Sequence, residues 1–114
     1  MKKDVLLLNH ILDAILKIEL FTNSITKEEF IRDDKTNLAL IRLLEVIGEA
    51  ANHISQETMQ QTTDIPWKDI IGFRNILIHE YFNIDLDIVW KTIQVNIPQI
   101  KNDIQIYFKK QKLL

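Results

Sequence analysis

Only two glycines and two prolines interrupt these 114 residues, and between them apolar side chains recur at spacings of three and four. Few breakers and a helical period dictate an all-α fold. A first helix is expected from about Asp4 to about Phe21, with Val5, Leu8, Leu12 and Ile15 as its stripe and Leu7, Ile11 and Ile18 beside them. His10, Asp13 and Lys17 fall on the opposite side, so His10 reads as a surface residue. Thr26 reads as an N-cap with Glu29 closing a capping box, and Ile25 and Phe30 as the hydrophobic staple across it. That helix is short, because residues 33–37 form another turn and cap.

A long helix follows from about Thr36 to about Ser55, burying Leu40, Leu43, Leu44, Ile47, Ala51 and Ile54. Gly48 inside it costs about 1 kcal/mol relative to alanine, so its presence implies close approach of another backbone. His53 lies off the stripe and receives no role. The polar stretch from Gln56 to Asp64 reads as a loop. Pro66 suits the first turn of the next helix, since its missing N–H is not needed there. That helix carries Trp67, Ile70, Ile71, Phe73, Ile76, Leu77, Ile78 and Tyr81, apolar nearly all round. It is expected to be buried on most sides, in the bundle centre or at a subunit interface. Asp85 caps the last helix, with Ile84 and Val89 as its staple and Val89, Trp90, Ile93, Ile97, Ile100, Ile104 and Phe108 as its stripe. The stripe keeps phase across Pro98, which predicts a kink and not a break. The sum is one domain over residues 1–114, an up-and-down bundle of four main helices plus a short one.

The formal charge of −2 argues against a general nucleic-acid coat, whose affinity comes from neutralising many phosphates. The arginines are Arg32, Arg42 and Arg74, and the lysines at 109, 110 and 112 suit a solvated helix end. RNA, if handled, must meet a local site or a partner's help. The absence of cysteine excludes disulfides and thiolate metal sites. Met1-Lys2-Lys3 before Val5-Leu6-Leu7-Leu8 imitates a signal peptide, but Asp4, Asn9, His10 and Asp13 interrupt the run. No stretch reaches membrane-spanning length. A cytoplasmic protein without membrane, metal or cofactor is the expectation.

Chemistry concentrates in residues 74–81, where Arg74, Asn75, His79 and Tyr81 intrude on an apolar helix. Arginine holds two phosphate oxygens in a fork, and histidine carries protons near neutrality. On an ideal helix at ~100° per residue Arg74 and Tyr81 lie within about 20°, whereas His79 sits roughly 140° from Arg74. One straight helix does not aim Arg74 and His79 at one phosphate. Either the helix distorts or ends near His79, or side chains from two copies converge. The bland alternative is a packed histidine and tyrosine with Arg74 paired to Glu45 or Glu49.

Arg74-x4-His79-x-Tyr81 resembles the RX4HXY signature of the HepT-like family within the HEPN superfamily. Ile47-Gly48-Glu49-Ala50-Ala51, Ile65-Pro66-Trp67, Ile71-Gly72-Phe73-Arg74-Asn75, His79-Glu80-Tyr81-Phe82, Asp85-Leu86 and Val89-Trp90 extend that resemblance over essentially the whole chain. The resemblance implies a helical homodimer with both motifs lining a composite cleft. It implies a metal-independent endoribonuclease toxin of a toxin–antitoxin pair, acting on RNA. The implied partner is a small nucleotidyltransferase antitoxin (MntA-type) that transfers AMP to the motif tyrosine. Carried over, Arg74 and His79 are the catalytic pair, Tyr81 the modified residue and Asn75 a supporting polar group. Glu49 belongs to a family-typical stretch without an assigned role. The alternative is a non-catalytic helical partner that binds a nucleotidyltransferase and positions its substrate, since the fold alone does not settle function.

Overall fold

A computed structural model describes residues 2–112; Met1, Leu113 and Leu114 lie outside the described residues. Every regular element described is helical. Helix α1 (Lys2–Thr22) leads to a short α2 (Lys27–Arg32) and a long α3 (Asp34–Asn52). After α4 (Gln56–Gln61) and α5 (Trp67–His79), a 3-10 turn (Tyr81–Asn83) leads to the C-terminal helix. That helix runs as α6 (Leu86–Lys91), a π turn (Thr92–Asn96) and α7 (Ile97–Lys110). Helix α3 packs against α1 on one side and α5 on the other, and α7 closes against α1.

The caps follow the local sequence. Thr26 and Glu29 exchange both bonds of the capping box, each 3.1 Å. Asp33 ends α2 and caps α3, accepting from the Lys35 N–H at 3.1 Å. Helix α3 therefore begins about two residues earlier than the apolar period alone indicates. Asp85 caps α6 through the N–H groups of Asp87 and Ile88. The stripes meet in one core, with Leu8, Ile11, Ile15, Leu40, Ile47, Val89, Ile93 and Ile104 all buried. Phe30 of α2 packs on Trp90 of α6 with ring centroids 5.2 Å apart. Lys101 of α7 donates to both Glu19 oxygens of α1 at 3.0 Å.

Pro98 neither breaks the helix nor acts alone. It has no N–H, and its ring crowds the carbonyl four residues back. The helix widens just before it, where the Ile97 N–H bonds to the Thr92 carbonyl, five residues back. The π turn absorbs the proline and lets the stripe continue.

The stretch read as a loop between Gln56 and Asp64 is corrected: Gln56–Gln61 is a helix. Its polar residues are structural. Ser55 caps it, accepting from the Thr58 N–H at 3.2 Å. Buried Asp4, from the first turn of α1, accepts from the Ser55 and Thr58 hydroxyls at 2.6 Å each and from the Ser55 N–H at 3.0 Å. Thr62 donates to the Thr58 carbonyl at 2.7 Å and accepts from the Trp67 indole at 2.9 Å, seating the start of α5. Among the described residues the bundle accordingly has four main helices and two short ones, where one short helix was expected.

Of the two places expected for α5, the bundle centre is not where one chain puts it. Only Trp67 and Leu77 are fully buried, while Ile76 is 51% exposed and Ile78 37%. In one chain this helix lies at the edge of the bundle and shows an apolar face to solvent.

The Asp4 network makes a measurable contribution. Burial pushes its carboxyl up, but the bonds from the Ser55 and Thr58 hydroxyls and the Ser55 N–H outweigh it and hold it below the ordinary range. A depressed folded-state pKa gives stability that is complete above the unfolded value and disappears as pH falls through the folded one. Asp4→Ala should cost about 3 kcal/mol at neutral pH by chemical denaturation, because it orphans buried donors. The gap between wild type and variant should shrink as pH falls below 3.8; a gap that stays constant with pH would contradict the assignment.

Candidate functional site

Arg74 rises from α5 directly opposite Gly48 of α3. A Cβ built on Gly48 would lie 2.1 Å from Arg74 Cβ and 2.6 Å from its Cγ. The glycine therefore makes room for the arginine stem, which is the close approach its position implied. The guanidinium is then held at two points. Nη2 donates to Glu49 Oε2 in an ion pair, and Nη1 donates to Asn75 Oδ1 at 2.7 Å. Its Nε is buried and meets no acceptor.

Glu49 connects further. Its second oxygen, Oε1, lies 3.2 Å from His53 Nε2, one turn along α3. An ionised carboxylate only accepts, so the imidazole donates here. The His53 bond and the Arg74 charge together hold the Glu49 carboxyl below the ordinary glutamate range. The pairing of Arg74 with Glu49, one of the two carboxylates considered from sequence, is the one formed. Glu45 pairs instead with Arg42 at 3.3 Å.

These groups edge a cleft of about 760 Å³ between α1 and α3. His10 and Lys17 line one wall, Arg42, Glu49 and His53 the other, and Arg74 its end. Two of the three histidines thus face the cleft, although the sequence reading gave neither a role. For His53 the signal was available, since a glutamate four residues before a histidine on one helix places the two in reach. Among the described residues, no group of three or more His, Asp or Glu side chains is placed to hold a metal ion.

His79 is the last residue of α5 and is exposed. Glu80 leaves helical geometry (φ −118°, ψ 36°), and the 3-10 turn begins at Tyr81. The helix thus ends at His79, one of the arrangements expected from the spacing, and the angles of an unbroken helix do not extend to Tyr81. Tyr81 is 74% exposed and sets its ring edge-to-face against Phe82, 80% exposed, with centroids 5.5 Å apart. No hydrogen bond or ion pair joins His79 or Tyr81 to Arg74 among the described residues. One chain brings together Arg74, Asn75, Glu49 and His53, and leaves His79 and Tyr81 exposed at the helix end.

An all-α bundle with an arginine on one helix, a histidine at that helix's end and a tyrosine just beyond has the architecture of the HEPN-like helical proteins. The family described as Ribonuclease HepT-like matches residues 11–106, and the chain belongs to it. It is 40% identical to "Putative RNase MJ1380" of Methanocaldococcus jannaschii, over 92% of this chain and 97% of that protein. It is 43% identical to "Probable ribonuclease HepT" of Thermococcus cleftensis, over 82% of this chain and 86% of that one. No solved structure matches the chain. By family, the chain is a ribonuclease. No helix among the described residues is long and apolar enough to cross a membrane.

The two glycines offer a paired test of the helix approach. A Cβ on Gly72 meets nothing within 4 Å, whereas one on Gly48 collides with the fixed stem of Arg74. Gly72→Ala should stabilise by about 0.5–1 kcal/mol through helix propensity. Gly48→Ala should destabilise by about 1–3 kcal/mol through overpacking. Denaturant unfolding reads both, and equal shifts would contradict the steric account.

Proposed function

We propose that this ribonuclease is the metal-independent RNA-cleaving toxin of a toxin–antitoxin pair, working as a homodimer with Arg74 and His79 as its catalytic pair. The observation that carries this reading is the end of α5 at His79, with that histidine exposed beside an uncovered apolar edge. Ile76, Ile78 and Phe82 are exposed there, and a second copy laid on this edge would cover them and bring a second motif alongside the first.

In the proposed reaction the ribose 2′-oxygen attacks phosphorus and the bond from phosphorus to the 5′-oxygen breaks. The products are a 2′,3′-cyclic phosphate and a 5′-hydroxyl. A base takes the 2′-hydroxyl proton and an acid protonates the departing 5′-oxygen; the His79 imidazoles of the two copies provide both functions. Arg74 keeps its Glu49 and Asn75 bonds and offers the remaining Nη N–H groups to phosphate oxygens, neutralising the charge that builds on them. Asn75 holds the guanidinium through Nη1 while it does so.

Tyr81 is the proposed off-switch. Its exposed hydroxyl is open to a nucleotidyltransferase (MntA-type) partner, whose AMP group would add a phosphodiester charge and a bulky nucleotide beside the RNA path. Repulsion and blockage both oppose substrate entry.

Expressed alone, the protein should arrest growth. His79→Ala should lower cleavage of a defined RNA by about 10²–10⁴-fold, the usual worth of a general acid or base. The variant should keep its helical signal and its sedimentation behaviour. A folded His79→Ala or Arg74→Ala protein as toxic as wild type would sink the catalytic assignment. On co-expression with a partner nucleotidyltransferase, Tyr81 should gain the mass of AMP in tryptic peptides. A Tyr81→Phe protein that still gains that mass would refute the site.

A further inference from the structure

His53, at the C-terminal cap of α3, lines the cleft and is used by neither the family signature nor the proposed mechanism. Glu49 is a long side chain about half exposed on α3, and such a residue ordinarily samples several rotamers. Here both carboxylate oxygens are engaged, Oε2 by Arg74 and Oε1 by His53. His53 sits at the C-terminal cap of α3, where its own N–H bonds to the carbonyls of Ala50 and Ala51, so its backbone is fixed. The arginine stem is fixed from the other direction by its contact with Gly48. Glu49 links the two anchored groups, held by Arg74 through Oε2 and by His53 through Oε1.

We infer that His53 is a positioning residue for the ribonuclease reaction, acting through Glu49 to aim the Arg74 guanidinium. The inference rests on the proposed contact of Arg74 with RNA phosphate. His53 itself touches no reacting atom. Its bond holds Glu49 against Nη2 of a guanidinium that lines the cleft. Without that bond the carboxylate is free to swing across the fork and compete with a phosphate for it. Because Arg74 stabilises charge that develops during cleavage, the loss belongs mainly to turnover and less to substrate binding.

The test uses the full chain and a defined single-stranded RNA. His53→Ala should lower kcat about tenfold, as expected for a misaimed group, with KM within about twofold of wild type. His53→Gln keeps an N–H donor for Glu49 and should recover most of that loss. In a Glu49→Ala background, His53→Ala should have no further effect, because the link it acts through is gone. Additive losses would overturn the proposal, as would equal losses for the alanine and glutamine variants or an unchanged kcat in His53→Ala. A readout independent of cleavage separates this idea from the functional assignment. By 15N relaxation, the Arg74 Nε–H should become less ordered in His53→Ala and stay ordered in His53→Gln. That result would support the link even if wild type cut no RNA, whereas an equally ordered Arg74 in all three would overturn it.

Discussion

The contact between Gly48 and Arg74 sets the distance between α3 and α5, and much of the molecule follows from that distance. Any side chain at position 48 would meet the arginine's Cβ, which cannot rotate away, so the helices would have to separate. At the observed spacing the arginine stem crosses α3 and its head reaches Glu49, one residue further on. The same approach packs Ile70 and Phe73 of α5 against the core to which Leu44 and Ile47 of α3 belong. A cost in helix propensity is thus exchanged for a packed interface and a placed cation.

The cation's neighbours matter as much as its position. A lone arginine lining the cleft would be free to reorient. Here a carboxylate and an amide hold it, and a histidine holds the carboxylate. The protein's net charge of −2 leaves no general attraction for RNA, so local geometry must supply what bulk charge does not.

What the sequence made readable was whatever short-range rules govern. The capping box at Thr26 and Glu29, the Asp85 cap and the stripe of the C-terminal helix are each set by residues within a few positions of one another. Gly48 was readable because a glycine inside a strong helix demands a steric reason, although its partner was not. Long-range facts escaped. Ser55 looks like the end of a helix and Thr58 like a loop residue until buried Asp4, more than fifty positions earlier, is seen to accept their hydroxyls. The apolar composition of α5 predicted a bundle centre or a subunit interface, and within one chain its Ile76 and Ile78 stay exposed. The motif residues Arg74, His79 and Tyr81 were found by spacing, but where α5 stops, and hence how they diverge, depended on Glu80 leaving the helix.

The order in which the helices pair along the chain has a consequence for biogenesis. Helix α1 packs on α3 and α3 on α5, each pairing between elements close in sequence. Such local pairings form early and fast, and they can form as the polypeptide emerges from the ribosome. The pairings of α1 with α7 and α2 with α6 must wait for the last quarter of the chain. Arg74 and Glu49 belong to one of these local pairings, so their ion pair needs neither end of the chain to be in place.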